Sequence, residues 1–427
     1  MLRAIVVFLI LVLFAAPIGL AVAAFQSEPL LTEAAQLSPQ QAAEARNVAR
    51  RIRNTTRGQD GSASLSASSA EIEALLATGG RVLQPLRGRT EIDAAGLWVV
   101  VSAQLPRLAR LGWVNLSIAV APSSAGIELH AVRLGRLDLP PGPTLAALRL
   151  ALDAITSEDI GSRLIGAVET VQTAPGLLTL TFDTGGLGDD SLFSQTMDGL
   201  REAVGLGDVS RAAADYAAMA RAAHDGALPG AGSVAPWLAF TANRVAAAEA
   251  DGADRNAARR AALLALAAHC GDRRVVVTIA GDITGGGTEA SACEGTRLAE
   301  RTDLRKHFIL SAALQATGGS VASFGLGEIK ELVDSGSGGS GFSFDDVAAD
   351  RAGIRFAEVL AVASPQQLAA LAAGQEEGAF MPAIVGLPSG LTDAEFAARY
   401  RSVDSPAYAA QIDAIDARID ALSAYAD

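Results

Sequence analysis

Hydrophobic and polar positions follow two rhythms along this chain, and the change of rhythm divides it. Leu97, Val99, Val101, Ala103 and Leu105 alternate with Trp98, Val100, Ser102 and Gln104. Val114, Leu116, Ile118 and Val120 alternate with Asn115, Ser117 and Ala119, and Ile127, Leu129 and Ala131 with Glu128 and His130. A period of two, broken by turn signals (LARLG, PSSAG), predicts antiparallel meander strands with one wet face. PPGPTLAALRLALDAI then reads as a helix with Leu145, Leu148, Leu152 and Ile155 inward, and LLTLTFD (Leu177–Asp183) as one more strand. Past the Gly/Asp-rich linker Thr184–Asp190 the rhythm turns helical. Leu192–Gly205, Val209–His224, Ala235–Ala250 and Asp254–His269 are predicted helices, the last buried because it is apolar over its length.

Ahead of these stands an uncharged apolar run from Ala4 to Phe25, preceded by Arg3. Its length is about that of a bilayer core. Arg3 on the short side, with Glu28 and Glu33 beyond, places the body outside the cytoplasm. Ala21-Val22-Ala23 offers signal-peptide cleavage as the alternative, and either reading exports the body. No Cys follows the run, which excludes an N-terminal lipoprotein. Ser38, Pro39 and Gln41 mark the start of a linking helix that continues to Asn54.

Composition adds limits. A chain of 427 residues is long for one core. The net charge of −13 argues against nucleic acid and anionic membrane surfaces as partners through bulk electrostatics. In an oxidising compartment Cys270 and Cys293 are expected to pair and close a glycine-rich loop. Metal binding beside His269 is the rival, weakened by the absence of CxxC spacing. His224 and His269 are expected at helix C-termini in structural roles. No phosphate-binding loop, nucleophile elbow, HExxH or EF-hand pattern occurs, and no cofactor is expected.

Chemically committed residues are densest from Asp303 to Glu358. Asp303 and His307, Lys330 and Asp334, and Asp346 and Asp350 are each four apart, so each pair shares a helix face. His307, Glu331, Asp346 and Asp350 are the candidate catalytic set, as an acid–base group or, with the metal unknown, a metal-assisted one. A local account competes: Ser343 with Asp346 has the form of a capping box, and Asp345 and Asp346 suit the first turn of a helix. Helices 303–317, 327–335 and 344–358 are expected to pack together, the Gly336–Gly341 loop reversing the chain. Asp413, Asp416 and Asp420 on the amphipathic final helix are expected to face water.

Two resemblances follow from these residues. Residues 301–358 are similar to the YfiM-like envelope lipoproteins through Asp303, His307-Phe308, Ser311-Ala312, Gly327, Lys330-Glu331-Leu332, Asp334-Ser335, the Gly339–Phe344 turn, Asp346, Asp350 and Ala352-Gly353. That resemblance implies an envelope location and carries no established activity. The spacing of His, Glu and Asp also resembles the VanZ-like membrane family. The element order over 60–185 and the turn Gly135–Pro140 resemble tubular lipid-binding envelope proteins of the YceB-like and YpmS-like groups. This second resemblance implies a curved sheet wrapped on a helix as a half-barrel, with Leu97, Val99, Val101, Leu145, Leu148 and Leu152 lining an acyl-chain cavity.

The expected fold is α+β. It comprises an anchor or signal peptide (1–25), a helical linker (26–59), an antiparallel lipid-binding-like domain (60–185), helical domains over 191–300 and 301–375, and a C-terminal loop and helix (376–427). The expected function is that of an inner-membrane-anchored periplasmic protein that binds a lipid and serves envelope assembly. A hydrolase built on residues 303–350 and a non-catalytic scaffold are the alternatives.

Overall fold

The computed structural model describes residues 23–32, 37–56, 61–82, 86–104, 110–156, 159–185, 209–286, 291–318, 330, 340–374 and 376–425. The fold is α+β, with antiparallel sheets and many helices. Two units divide it: a sheet unit of Met1–Leu37 with Glu44–Thr196, and a helical unit of Ser38–Ala43 with Met197–Asp427.

The sheet unit contains β1 (Phe25–Gln26), most of α1 (Pro39–Thr56), β2 (Ser62–Ser68), α2 (Ser69–Val82), β3 (Leu86–Asp93), β4 (Gly96–Ala103), β5 (Trp113–Ala121), β6 (Glu128–Leu134) and β7 (Leu137–Leu139). There follow α3 (Pro141–Thr156), α4 (Ile160–Gly166), β8 (Val168–Ala174) and β9 (Leu177–Asp183). Strands β3 to β7 form a meander in sequence order, while β2, β9 and β8 form a second sheet. Ile92, Val171 and Leu178 make the core between them, with Ile72, Leu97, Val120 and Val168 packed around.

That core changes the expected lining. Leu97 lies opposite Ile92 and Val101 opposite Gly88, so the Leu97/Val99/Val101 stripe shares their face. A Cβ at Gly88 would press on Leu76 of α2, so the helix covering this face is α2. The expected partner, α3, packs on β6 and α4 instead, and its Leu148 is 44% exposed. Leu97 therefore packs on the core, and Val101 lies on the face that α2 covers, with Val99 and Val101 half-buried. A surface cavity of about 190 Å³ takes only Val99 of the six expected lining residues, beside Trp98, Ser117, Arg133 and Asp138. That is below the roughly 300–1,000 Å³ of a ligand pocket.

The segment Ala23–Thr32 lies across the end of the meander sheet. Phe25 and Gln26 pair with Val114 and Trp113. Asn115, 1% exposed, accepts from the Leu30 amide (3.0 Å) and donates to the Glu28 carbonyl (3.0 Å) and to Gln26 Oε1 (2.5 Å). Ser102 accepts from the Leu31 amide (3.2 Å), and Arg87 donates to the Leu31 and Thr32 carbonyls. Among the described residues no helix is long and apolar enough to cross a membrane; Met1–Val22, and with them most of the apolar run, lie outside those residues.

The helical unit is built from α5 (Ser210–His224), β10 (Ala231–Ser233), α6 (Ala235–Ala250), α7 (Arg255–Cys270), α8 (Arg273–Ala280), β11 (Gly295–Arg297), α9 (Thr302–Gly318), α10 (Phe344–Val362), α11 (Pro365–Ala372), α12 (Asp393–Tyr400) and α13 (Pro406–Asp420). Asp254 caps α7 as its sequence suggests, accepting from the Ala257 amide. His269, near the end of α7, is buried, stacks on Tyr216 at 4.1 Å between ring centres and contacts the Tyr216 carbonyl, a structural role. Cys270 and Cys293 form the expected disulfide. The expected helix Leu192–Gly205 lies outside the described residues.

Helices α9 and α10 cross at a glycine. A Cβ at Gly353 would overlap the Phe308 carbonyl oxygen, so only glycine permits this approach. The aromatic residues, scarce in the chain, gather here. Phe308 packs on Phe356, and Phe342 and Phe344 pack on Phe396, Tyr400 and Tyr408. Helix α13 grips the outer face of α10 through Asp416 to Arg351 and Asp420 to Arg355, so two of the aspartates expected to face water are ion-paired.

Two measurements test this packing. Gly353→Ala should lower the unfolding free energy by roughly 2 kcal/mol, overpacking outweighing the better helix propensity of Ala. Reducing the disulfide should cost about 3 kcal/mol, the value for closing a loop of this size, and the untreated protein should carry no reactive thiol.

Candidate functional site

The α9–α10 crossing brings charged side chains together because each helix presents them at one-turn spacing. His307 and Ser311 line α9, and Asp346 and Asp350 line the facing side of α10. The start of α10 is fixed first. Phe342 exchanges backbone hydrogen bonds with Leu391 (2.7 and 2.9 Å), and Gly341 before it, at φ 89°, has no room for a Cβ against Gly390. Ser343 then caps the helix, accepting from the Asp346 amide (3.3 Å). The Asp346 carboxylate turns the other way, towards His307 and Arg301, rather than closing the box.

His307 lies between two carboxylates with its side chain 10% exposed. Its Nδ1–H donates to Asp350 Oδ1 at 3.0 Å, and Nε2 faces Asp346 Oδ2 at 3.5 Å. Ser311 also donates to Asp350 Oδ1, at 2.7 Å. Asp350 Oδ2 is buried and, among the described residues, has no hydrogen-bond partner. Burial opposes a charge on the imidazole, but Asp350, through charge and hydrogen bond, and then Asp346 outweigh it and lift its pKa to about 9 against the repulsion of Lys330. His307 is thus an imidazolium at neutral pH. Burial also pushes Asp346 up, tempered by the charges of His307 and Arg301.

Arg301 is a member of the site that sequence reasoning missed. Its guanidinium binds Asp303 (2.6 Å), Asp345 (2.9 Å) and Asp346 (3.1 Å); the hydrogen bond to Asp303, then the charges of all three carboxylates, hold its pKa above the ordinary value against burial. A tight turn aims it. Leu298 and Arg301 exchange backbone hydrogen bonds across Ala299 and Glu300, whose φ values are 48° and 60°. Both central residues of such a turn need positive φ, which usually selects Asn-Gly. The left-handed conformation costs roughly 1–2 kcal/mol at each non-glycine residue. Glu377 steadies the turn by accepting from the Ala299 amide at 2.9 Å. The strained dipeptide Ala299-Glu300 carries no turn signature, so only its place just before Asp303 pointed here.

Below the site Arg305, 2% exposed, donates to the carbonyls of Cys293, Glu294 and Thr296, tying α9 to the disulfide loop. Of the expected set, His307, Asp346 and Asp350 meet; Glu331, Asp334 and most of the middle helix lie outside the described residues. Among the described residues no three His, Cys, Asp or Glu side chains are placed to hold a metal ion. The arrangement can hold a proton on His307 and offer an uncommitted carboxylate oxygen beside it.

Because the pKa of His307 rises on folding, its contribution to stability is complete below about pH 6.5 and is lost as pH climbs through about 9. At about 1.4 kcal/mol per pH unit the loss is roughly 3 kcal/mol. Urea unfolding across that range should show the decline in the natural chain, and His307→Gln should flatten it.

Compared with known proteins, the chain matches no family model, no curated protein and no solved structure. The functional reading rests on the chemistry of the site.

Proposed function

We propose that this chain is an exported, membrane-anchored envelope protein whose helical unit is a hydrolytic acid–base centre. Asp350 is the base, His307 the acid, and Arg301 with Asp346 holds the acid in place. The observation that carries this reading is Asp350 Oδ2, an oxygen buried without a donor among the described residues, next to an imidazolium. A buried acceptor left open costs about 1–3 kcal/mol, and a fold gains nothing by leaving it so. A water or substrate hydroxyl supplies the missing donor.

In the reaction, Asp350 Oδ2 takes a proton from water as its oxygen attacks the electrophilic carbon of the substrate. His307, whose Nε2 faces Asp346 Oδ2 at 3.5 Å, gives its Nε2 proton to the departing group. Exchange with solvent, which takes the proton from Asp350 Oδ2 and returns one to His307 Nε2, restores both groups. Asp303, Asp345, Asp346 and Asp350 outnumber Arg301 and His307, so the site favours neutral or cationic substrates such as esters, amides or glycosides over phosphates.

The apolar run and the likeness of residues 301–358 to YfiM-like proteins support the envelope placement. The reading of the sheet unit as an acyl-chain holder has less support, because Leu97 belongs to a packed core.

The test compares the full-length chain with Asp350→Asn on neutral chromogenic esters, amides and glycosides. The substitution keeps an acceptor for Ser311 and removes the base, so hydrolysis should fall roughly 100-fold or more. Activity of the natural chain should decline as pH rises through about 9, where His307 loses its proton. Equal turnover by both proteins on every substrate would leave the charged set a structural network only.

A further inference from the structure

The segment Ala23–Thr32 points to a membrane-facing surface on the sheet unit. In the sequence the apolar run reaches Phe25, yet the chain is already fastened to the fold at Ala23. The Arg136 amide donates to the Ala23 carbonyl at 2.8 Å, and a Cβ at Gly135 would overlap the Ala23 and Ala24 carbonyls. Gly112 meets the Gln26 carbonyl in the same way. In the sequence, the run proposed as the anchor ends where this fastening begins.

The register identifies which end of the sheet this is. Ala103 lies opposite Val114 and Leu116 opposite Leu134, so the end of β4, the start of β5 and the β6–β7 turn lie together. The segment Ala23–Thr32 crosses that end. The turn at Asp93–Gly96 lies at the other, about 25 Å away at roughly 3.3 Å per residue along the eight residues of β4.

The side chains at the crossed end suit lipid headgroups. Arg110 and Arg136 are exposed there, Leu111 is 54% exposed, and Trp113 lies beneath the Arg87 guanidinium at 4.9 Å. Basic side chains are drawn to an anionic surface, and tryptophan favours the membrane interface. The exposed Glu28 of the crossing segment shares this end, so its excess of positive charge comes from Arg110 and Arg136 together.

We infer that the end of the sheet carrying Arg110, Leu111 and Arg136 rests on the anionic phospholipid surface of the membrane holding the anchor. The inference rests on the anchored reading proposed above and adds an orientation: the meander strands rise from the bilayer, with the Asp93–Gly96 turn farthest out.

The test uses the full chain, its disulfide intact, in vesicles of phosphatidylglycerol and phosphatidylethanolamine. Nitroxides are attached to single added cysteines at Leu111, Arg136, Ala95 and Ser124, and each label's access to oxygen and to a water-soluble nickel chelate is measured. Labels at 111 and 136 should favour oxygen severalfold over those at 95 and 124. Combining Arg110→Glu and Arg136→Glu should move the label at 111 towards water. Equal, water-like access at all four sites, in protein that stays with the vesicles through an alkaline carbonate wash, would overturn the surface while leaving the anchor. Protein released by that wash would overturn the anchor and the surface with it.

Discussion

A single close contact between helices, Gly353 against the Phe308 carbonyl, sets the geometry on which the helical unit depends. One hydrogen at that position in place of a methyl lets α9 and α10 approach until their polar stripes touch. His307 is the residue before Phe308, and Asp350 is three before Gly353, so the steric point and the charged site lie within one helical turn of each other. A pair of helices held farther apart would leave the imidazole to water and the carboxylates to one another. The aromatic cluster of Phe342, Phe344, Phe396, Tyr400 and Tyr408 keeps α10 from sliding along this contact.

Burying that charge is expensive, and its surroundings are built accordingly. Taking ions out of water is repaid only when several partners share them. Arg301 serves three carboxylates, and His307 faces two. The strained turn at Ala299 and Glu300 is the cost of aiming Arg301 from a hairpin instead of a helix. Such strain persists only where surrounding contacts enforce it, as the Glu377 bond to Ala299 does. Beside these shared charges, Asp350 Oδ2 is a buried carboxylate oxygen with no donor among the described residues.

Much of the architecture was legible because local signals agreed with the fold. Asp254 before α7, Ser343 before α10 and the alternation through β4 and β5 each marked an element the structure contains. Strand β3 was hidden, since Gly88 and Thr90 occupy its inward positions and blur the alternation with Arg87, Arg89 and Glu91. The error over α3 has the same origin: periodicity reports that a helix has an apolar face, not which sheet face receives it. At the site, spacing by four identified His307, Asp346 and Asp350. Arg301 lies outside any helical period and acquires its role from a tertiary turn, and Ser311 was noted as part of a motif without a partner.

The segment Ala23–Thr32 has a consequence for the order in which the molecule is made. Leu30 and its partner Asn115 are 85 residues apart, and Leu31 and Ser102 are 71 apart. The segment leaves the ribosome early, and its docking surface exists only after the meander through Arg136 has followed. Synthesis at roughly 5–20 residues per second makes that interval several seconds. During it, the stretch behind the apolar run is free of the fold, and Asn115 has no partner from Gln26, Glu28 or Leu30. The segment is thus open to other contacts early in synthesis, and closing the end of the sheet ends that window.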